Sequence, residues 1–210
     1  MYKIKSSILP FLILIFVSLT TNVYAGPKNS KGGRSDALSV TETNHLLFMR
    51  EEEKMARDVY LTLYDLWNDK IFNNIASSEQ QHMDAIKSLL VKYGIADPVP
   101  DKNTIGTFTD TVLSDLYTAL VERGEGTALE ALYVGGYIEE VDMRDIQKAI
   151  DETSHTDIID VYENLLKGSR NHLRAFVGKI EDEGEVYDAQ IILQSEVDDI
   201  VDSPIERGSN

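Results

Sequence analysis

The sequence contains no cysteine among its 210 residues. This absence excludes thiol catalysis, zinc knuckles and iron centres held by cysteine, and it leaves no disulfide bond to stabilise the fold. Runs in which apolar and polar residues alternate, the pattern of a half-buried strand, are also missing, so the sequence predicts little sheet. The folded state must therefore be stabilised by packing.

Basic residues are scarce: 20 Lys and Arg stand against 36 Asp and Glu, a formal net charge of −16. A nucleic-acid partner needs a basic surface to meet its phosphates, so we expect none. An acidic surface attracts cations, although it also simply keeps an exported protein soluble. The length suits one medium-sized domain with a sizeable core.

The N-terminus has the pattern of a secretory signal peptide. Lys3 and Lys5 precede an apolar run at 8–19, and Ala25 supplies the small residue expected at a cleavage point. The run is shorter than the roughly 20 residues that a membrane-spanning helix needs. We therefore expect cleavage near Ala25 and export to the periplasm or the extracellular space. A membrane would be a partner only if the signal were retained.

Composition also divides the rest of the chain. Removal of the signal with its two lysines takes the formal charge from −16 to −18. The polar, glycine-rich residues 26–34 predict a flexible leader. The predicted organisation is a signal peptide at 1–25, a leader at 26–37, a helical domain at 38–202 and a C-terminal tail at 203–210.

Apolar residues recur at helical spacing through the predicted domain. Ser39 and Glu42 form a capping box that opens the first helix, and Gly94 and Gly184 are typical helix ends. The predicted fold class is all-α: a four-helix bundle with a long crossover connection and an extra short helix between helices two and three. The predicted long helices are 39–68, 72–93, 127–152 and 156–182, the short helix is 111–123, and a further short segment covers 195–201.

Each long helix places a carboxylate or histidine near the middle of an apolar face. Glu79 and His82 lie three residues apart, so their side chains project from one face of helix two. In four-helix bundles this spacing builds di-iron and di-manganese sites. The other candidates are Glu53 on helix one, with Glu52 as the alternative, Glu139 and Asp142 on helix three, with Glu140 as the alternative, and His172 on helix four.

Several carboxylates in a bundle interior would repel one another, and burying one without a partner is costly. A shared cation removes both problems, and carboxylate oxygens with imidazole suit iron and manganese. The competing interpretation is that Arg50, Glu51 and Glu52 belong to a solvated helix face and that each histidine is a satisfied interior or boundary residue. Candidates on all four helices favour the metal site. The tyrosines expected to hydrogen-bond the ligands are Tyr60, Tyr137 and Tyr162.

Two motifs resemble those of rubrerythrin-type domains in the ferritin-like superfamily. They read Glu53-x-x-Ala56-Arg57-x-x-Tyr60 on helix one and Ile75-Ala76-x-x-Glu79-x-x-His82 on helix two. From about 38 to 201 the chain is most similar to the uncharacterised ferritin-like family called domain of unknown function 2202. The resemblance implies a ferritin-like bundle with an extra third-helix carboxylate at Asp142 and iron ligands at Glu53, Glu79, His82, Glu139 and His172.

The fourth helix departs from the ferritin-like pattern. Its ligand motif is normally Glu-x-x-His, and here Ser169 stands three residues before His172. One bridging carboxylate is therefore missing. Either Asp142 or Glu140 replaces it, or one metal position is weak. The expected cofactor is iron, as a di-iron or mono-iron centre, with manganese as the other candidate.

Three functions are compatible with this sequence. The first is a metal-dependent oxidoreductase that oxidises Fe(II) or reduces peroxide. The second is a binder that sequesters iron or manganese without catalysis, and the third is a structural or interaction bundle that has lost the chemistry. Metal ions are the partners expected for the first two. We expect a monomer or a homodimer.

Overall fold

In the computed structural model, residues 37–99 and 101–207 are described, and within those ranges all regular structure is helical. The predicted all-α class is therefore confirmed, and the short helix lies between the second and third long ones as predicted. The predicted signal peptide and most of the predicted leader lie outside the described residues. The helices are α1 Val40–Trp67, α2 Lys70–Lys92, α3 Thr111–Gly124, α4 Ala128–Asp151, α5 Thr156–Asp182 and α6 Gln194–Val201.

Local chemistry accounts for the helix ends. The Ser39 hydroxyl accepts from the Glu42 backbone N–H at 3.1 Å, and the Glu42 carboxylate accepts from the Ser39 N–H at 2.8 Å, so the predicted capping box is present. Asn68 then ends α1 in the left-handed conformation (φ 52°), and Asp69 caps α2 directly after it. Gly184, with φ 82°, follows α5 where a side chain would be strained.

The four long helices surround one interior. α1 packs mainly along α2, and α4 packs mainly along α5; the two pairs meet where α1 faces α4 and α2 faces α5. The short α3 lies against α1 and α4. A long connection, residues 93–110, joins the first helix pair to α3. None of the helices in the described ranges is both long and apolar enough to cross a membrane.

The connection also covers the outer face of α1, where every residue from 51 to 60 is buried. Lys54 donates to the backbone carbonyl of Thr104 at 2.8 Å and to the Asp58 carboxylate. Glu51 accepts the backbone N–H of Asp110 at 2.9 Å. The interpretation of Arg50, Glu51 and Glu52 as a solvated face is therefore wrong, because all three are buried and the connection replaces water as the partner of Arg50 and Glu51.

Apolar side chains form a layer at each end of the bundle interior. One layer is built around Leu46, Ile86 and Ile146. The other contains the rings of Tyr60, Phe72 and Phe176, whose centroids lie 5.4–6.4 Å apart. Between these layers, the middle of each long helix turns polar side chains inward.

Candidate metal centre

Predicted ligands from all four long helices meet in the polar layer between the apolar ends. Each is at most 9% exposed, so each has lost nearly all contact with bulk water. The described part of the chain contains two groups of three residues that could hold a metal ion. Within each group, the three ligand atoms lie within 4.8 Å of one another. The first group is Glu53, Glu79 and His82, and the second is Glu79, Glu139 and His172.

In the first group, Nδ1 of His82 faces two carboxylates. It lies 2.7 Å from Oε2 of Glu79, one turn earlier on α2, and 3.2 Å from Oε2 of Glu53 on α1. The second group repeats this arrangement across the bundle. Nδ1 of His172 lies 2.9 Å from Oε1 of Glu79 and 3.3 Å from Oε2 of Glu139.

Glu79 therefore belongs to both groups and turns one carboxylate oxygen to each histidine. The two imidazole rings are stacked, with centroids 5.7 Å apart. Each group has one carboxylate of its own, Glu53 or Glu139, one histidine, and a share of Glu79. Such a set offers two neighbouring cation positions with a carboxylate between them.

Further polar groups orient these side chains. The Tyr60 hydroxyl donates to Oε1 of Glu139 at 2.5 Å. Nε2 of His172 lies 3.0 Å from the Ser78 hydroxyl, which leaves Nδ1 of the same ring for the carboxylates. Of the three tyrosines expected to bond ligands, Tyr60 alone does so within the described ranges; the Tyr162 hydroxyl is buried without a partner.

Glycine at position 168 makes room for His82. A Cβ placed on Gly168 would lie 2.5 Å from Nε2 of His82, much closer than real Cβ contacts. Gly168 lies one turn before His172 on α5, so the helix that carries one histidine also accommodates the other. Neither Gly168 nor Ser78 was predicted from the sequence; the position of Gly168 one turn from a candidate ligand was the available signal.

Asp142 lies in the same polar layer but belongs to neither group of three. Its carboxylate is buried and accepts a hydrogen bond from the Ser169 hydroxyl. Position 169 is the one at which the ferritin-like pattern has a carboxylate. Ser169 also donates to the backbone carbonyl of Leu165 at 3.1 Å. The structure thus brings a third-helix carboxylate next to the substituted fourth-helix residue.

The two alternative ligands behave differently from the residues they would replace. Glu140 points away from the centre: it accepts from the Tyr187 hydroxyl at 2.6 Å and from backbone N–H groups of residues 190–192. The alternative that placed Glu140 at the centre is therefore wrong. Glu52 is buried beside Glu53 but lies outside both groups, and its Oε2 has no hydrogen-bond partner among the described residues.

Burial and mutual repulsion perturb the carboxyl groups strongly. Burial raises the pKa of Glu53 to about 8, although the neighbouring His82 opposes the rise. Burial and the charges of Glu53 and Glu79 raise the pKa of Asp142 well above its usual value. Burial acts on Glu79 in the same direction, but the charges of His172 and His82 outweigh it and hold the pKa of Glu79 low.

The histidines respond to the same charges. Burial lowers the pKa of His172, but the Glu79 and Glu139 carboxylates more than reverse this and raise it to about 10. The neighbouring carboxylates therefore favour protonated, positively charged imidazoles. A metal cation could supply the positive charge instead, and its binding would release protons.

Residues 42–204 match the family described as "Uncharacterized protein domain (DUF2202)". The chain belongs to this family. It is 51% identical, over 173 residues, to "Uncharacterized protein MJ0754" of Methanocaldococcus jannaschii, covering 82% of this chain and 93% of that protein. It also resembles the crystal structure of "hypothetical protein MJ0754" from Methanococcus jannaschii DSM 2661, with a TM-score of 0.79, 48% identity, and coverage of 87% of this chain and all of the other.

Proposed function

We propose that the protein is a ferritin-like metal-binding protein whose buried Glu/His centre holds iron, or manganese, and carries ferroxidase- or peroxidase-like activity. The observation that carries the proposal is Glu79, buried between two histidines with one oxygen turned to each. Two helix pairs joined by one long connection are also the connectivity that ferritin-like folds use.

The side chains present fit a metal ion. Oε1 of Glu53 is buried and has no hydrogen-bond partner within 37–99 and 101–207, so it is an available ligand atom. Three carboxylates and two imidazoles in the two groups match the ligand preference of iron and manganese. A structural polar network would satisfy its buried oxygens internally, and Glu53 does not.

Glu53 and His82 would hold one ion, Glu139 and His172 a second, and Glu79 would bind both. With iron bound, the centre would supply redox chemistry in which one peroxide takes two electrons from two ferrous ions, and two protons, and becomes two waters. Tyr60 keeps Glu139 oriented toward the centre. The apolar layers at both ends restrict the access of water to it.

Metal sequestration without turnover is the alternative, and one observation favours it. Ser169 replaces a carboxylate, and the nearby Asp142 carboxylate is hydrogen-bonded to it rather than free. A centre with one bridging carboxylate instead of two would hold metal less symmetrically. Metal bound stably, with no oxidation of Fe(II) by peroxide or oxygen, would select this alternative.

The test is anaerobic loading with Fe(II), desalting, elemental analysis and then addition of peroxide. Wild-type protein should retain about two iron ions per chain, since two ligand groups are present, and should develop ferric absorbance. Glu79→Gln should retain almost none because both positions share this carboxylate. The matched control is Glu163→Gln, at an exposed position of α5, which should behave like wild type.

Wild-type protein that retains no metal, and melts at the same temperature with and without it, would overturn the proposal. The bundle would then be a structural or interaction protein with a buried Glu/His network.

Export belongs to the same proposal and is supported by the signal-peptide pattern ahead of the described residues. The mass of the mature protein from the producing cell should correspond to cleavage near Ala25. Sedimentation should give a monomer or homodimer rather than a storage cage. A mature protein that begins at Met1 and stays in the cytoplasm would contradict export.

A further inference from the structure

Glu52 is a buried carboxylate that the proposed centre does not use. It lies on α1 directly before Glu53 and is 3% exposed, and none of the described residues hydrogen-bonds its Oε2. Two further buried oxygens nearby are also unpartnered: Oε1 of Glu53 and the hydroxyl of Tyr162 on α5. A buried carboxylate oxygen without a donor is costly, so this one requires an explanation.

The neighbours of Glu52 lead from the centre to the surface along the side where α1 faces α4. Burial is the main cause of the raised pKa of Glu52, and the carboxylates of Asp145, Asp142 and Glu53 lie close enough to raise it further. Asp142 and Asp145 are three residues apart, so they share one face of α4. Asp142 belongs to the buried layer, whereas the side chain of Asp145 is 21% exposed.

Arg144 is a positive side chain that acts on Glu52, and it is already engaged. Its Nε donates to Oδ1 of Asp145 at 2.8 Å, and its Nη2 donates to Oδ2 at 2.9 Å. Glu52 therefore has acidic neighbours on both the outer and the inner side, and its Oε2 has no hydrogen-bond partner in the described part of the chain.

Glu52 also lacks the ligands for a stable metal site. It belongs to neither group of three ligand atoms found in the described ranges. An ion with few protein ligands binds weakly and leaves readily, which suits passage rather than storage.

We propose that Glu52 is a transit position, through which a divalent cation passes from the surface at Asp145, beside Asp142, to the centre at Glu53. The route rests on the proposed metal-binding function. It adds the path of entry and the residue that controls the rate of loading. A line of carboxylates raises the local concentration of cations and so increases the rate at which they reach the interior.

The test measures the rate of loading by stopped-flow absorbance, with Co²⁺ as the probe because it has the charge of Fe²⁺ and absorbs when ligated. Glu52→Gln should load on the order of tenfold more slowly than wild type. Its final cobalt content should equal that of wild type, because Glu52 is outside both ligand groups. Glu52→Asp, which keeps the carboxylate, should load faster than Glu52→Gln.

Two control variants accompany it. Glu163→Gln removes an exposed charge from α5 and should load at the wild-type rate. Arg144→Gln removes the positive charge beside the route and should load faster than wild type; it tests the route even if Glu52→Gln does not fold.

The outcomes separate the route from the proposed function. Wild-type uptake with unchanged rates in Glu52→Gln and Arg144→Gln would overturn the route alone. A reduced final cobalt content in Glu52→Gln would also overturn it, because Glu52 would then be a ligand of the centre. Wild-type protein that takes up no cobalt would overturn the proposed function together with the route.

Discussion

Replacement of Gly168 by alanine should disable one half of the proposed centre. The added Cβ would lie 2.5 Å from Nε2 and 2.7 Å from Cε1 of His82. The ring cannot retreat without cost, because its Nδ1 lies 2.7 Å from Glu79 on the opposite side. The same Cβ would lie 3.9 Å from His172, an ordinary contact, so that histidine should stay in place.

The expected magnitude follows from two opposing effects. Crowding in a well-packed interior costs about 1–3 kcal/mol. Alanine in place of a helical glycine gains about 1 kcal/mol. Gly178→Ala, also on α5, is the matched control, since no atom lies within 4 Å of its added Cβ and only the gain applies. Gly168→Ala should therefore be about 1–3 kcal/mol less stable than Gly178→Ala.

Urea denaturation of both metal-free variants measures this difference. In thermal unfolding, each kcal/mol corresponds to roughly 2–4 °C in melting temperature for a chain of this size. After Fe(II) loading, Gly168→Ala should lose the ion at His82 and keep the one at His172, because disturbing the groups that orient a ligand lowers metal affinity by about 10–100-fold. Equal stability and equal iron content in the two variants would refute the reasoning.

Three further predictions concern the surroundings of the centre. Tyr60→Phe removes the hydrogen bond to Glu139 and should lower the free energy of unfolding by about 1 kcal/mol. Equilibrium dialysis of this variant should also show weaker iron binding. An unchanged iron affinity would contradict a positioning role for Tyr60. Glu140→Gln weakens the acceptor for the 190–192 backbone and should destabilise by about 2 kcal/mol, with iron content unchanged; a loss of iron would place Glu140 at the centre after all. Hydrogen bonds from Arg170 lower the pKa of Glu206 to about 2, so the contribution of Glu206 to stability is present above its ordinary pKa and is lost as the pH falls from about 4.5 toward 2. The melting temperature of Glu206→Gln should therefore fall less over that pH range than the melting temperature of wild type. An equal fall in both proteins would contradict this.

The helical period predicted most of the architecture because each long helix has an apolar stripe interrupted once by polar residues. Those interruptions became the polar layer, since helices packed side by side bring their middles together. Glu79 and His82 were the most readable pair because a spacing of three fixes both on one face.

The choice between neighbouring carboxylates could not be made from the same pattern. On α1 the connection buries the outer face as well, so Glu51, Glu52 and Glu53 are all inside and burial does not distinguish them. Glu140 accepts hydrogen bonds from backbone N–H groups about 50 residues later in the sequence, and a local sequence pattern cannot predict such a contact. Gly168 and Ser78 act through contacts between helices, and such contacts depend on how the helices pack.

Anomalous diffraction from crystals of the iron-loaded protein, recorded at the iron absorption edge, tests the central claim most directly. The account predicts two peaks, one on each side of the Glu79 carboxylate, each within direct bonding distance of Nδ1 of His82 or His172. Iron found only at the acidic surface, or a Glu79 carboxylate still bonded to both imidazoles with no peak beside it, would contradict the account.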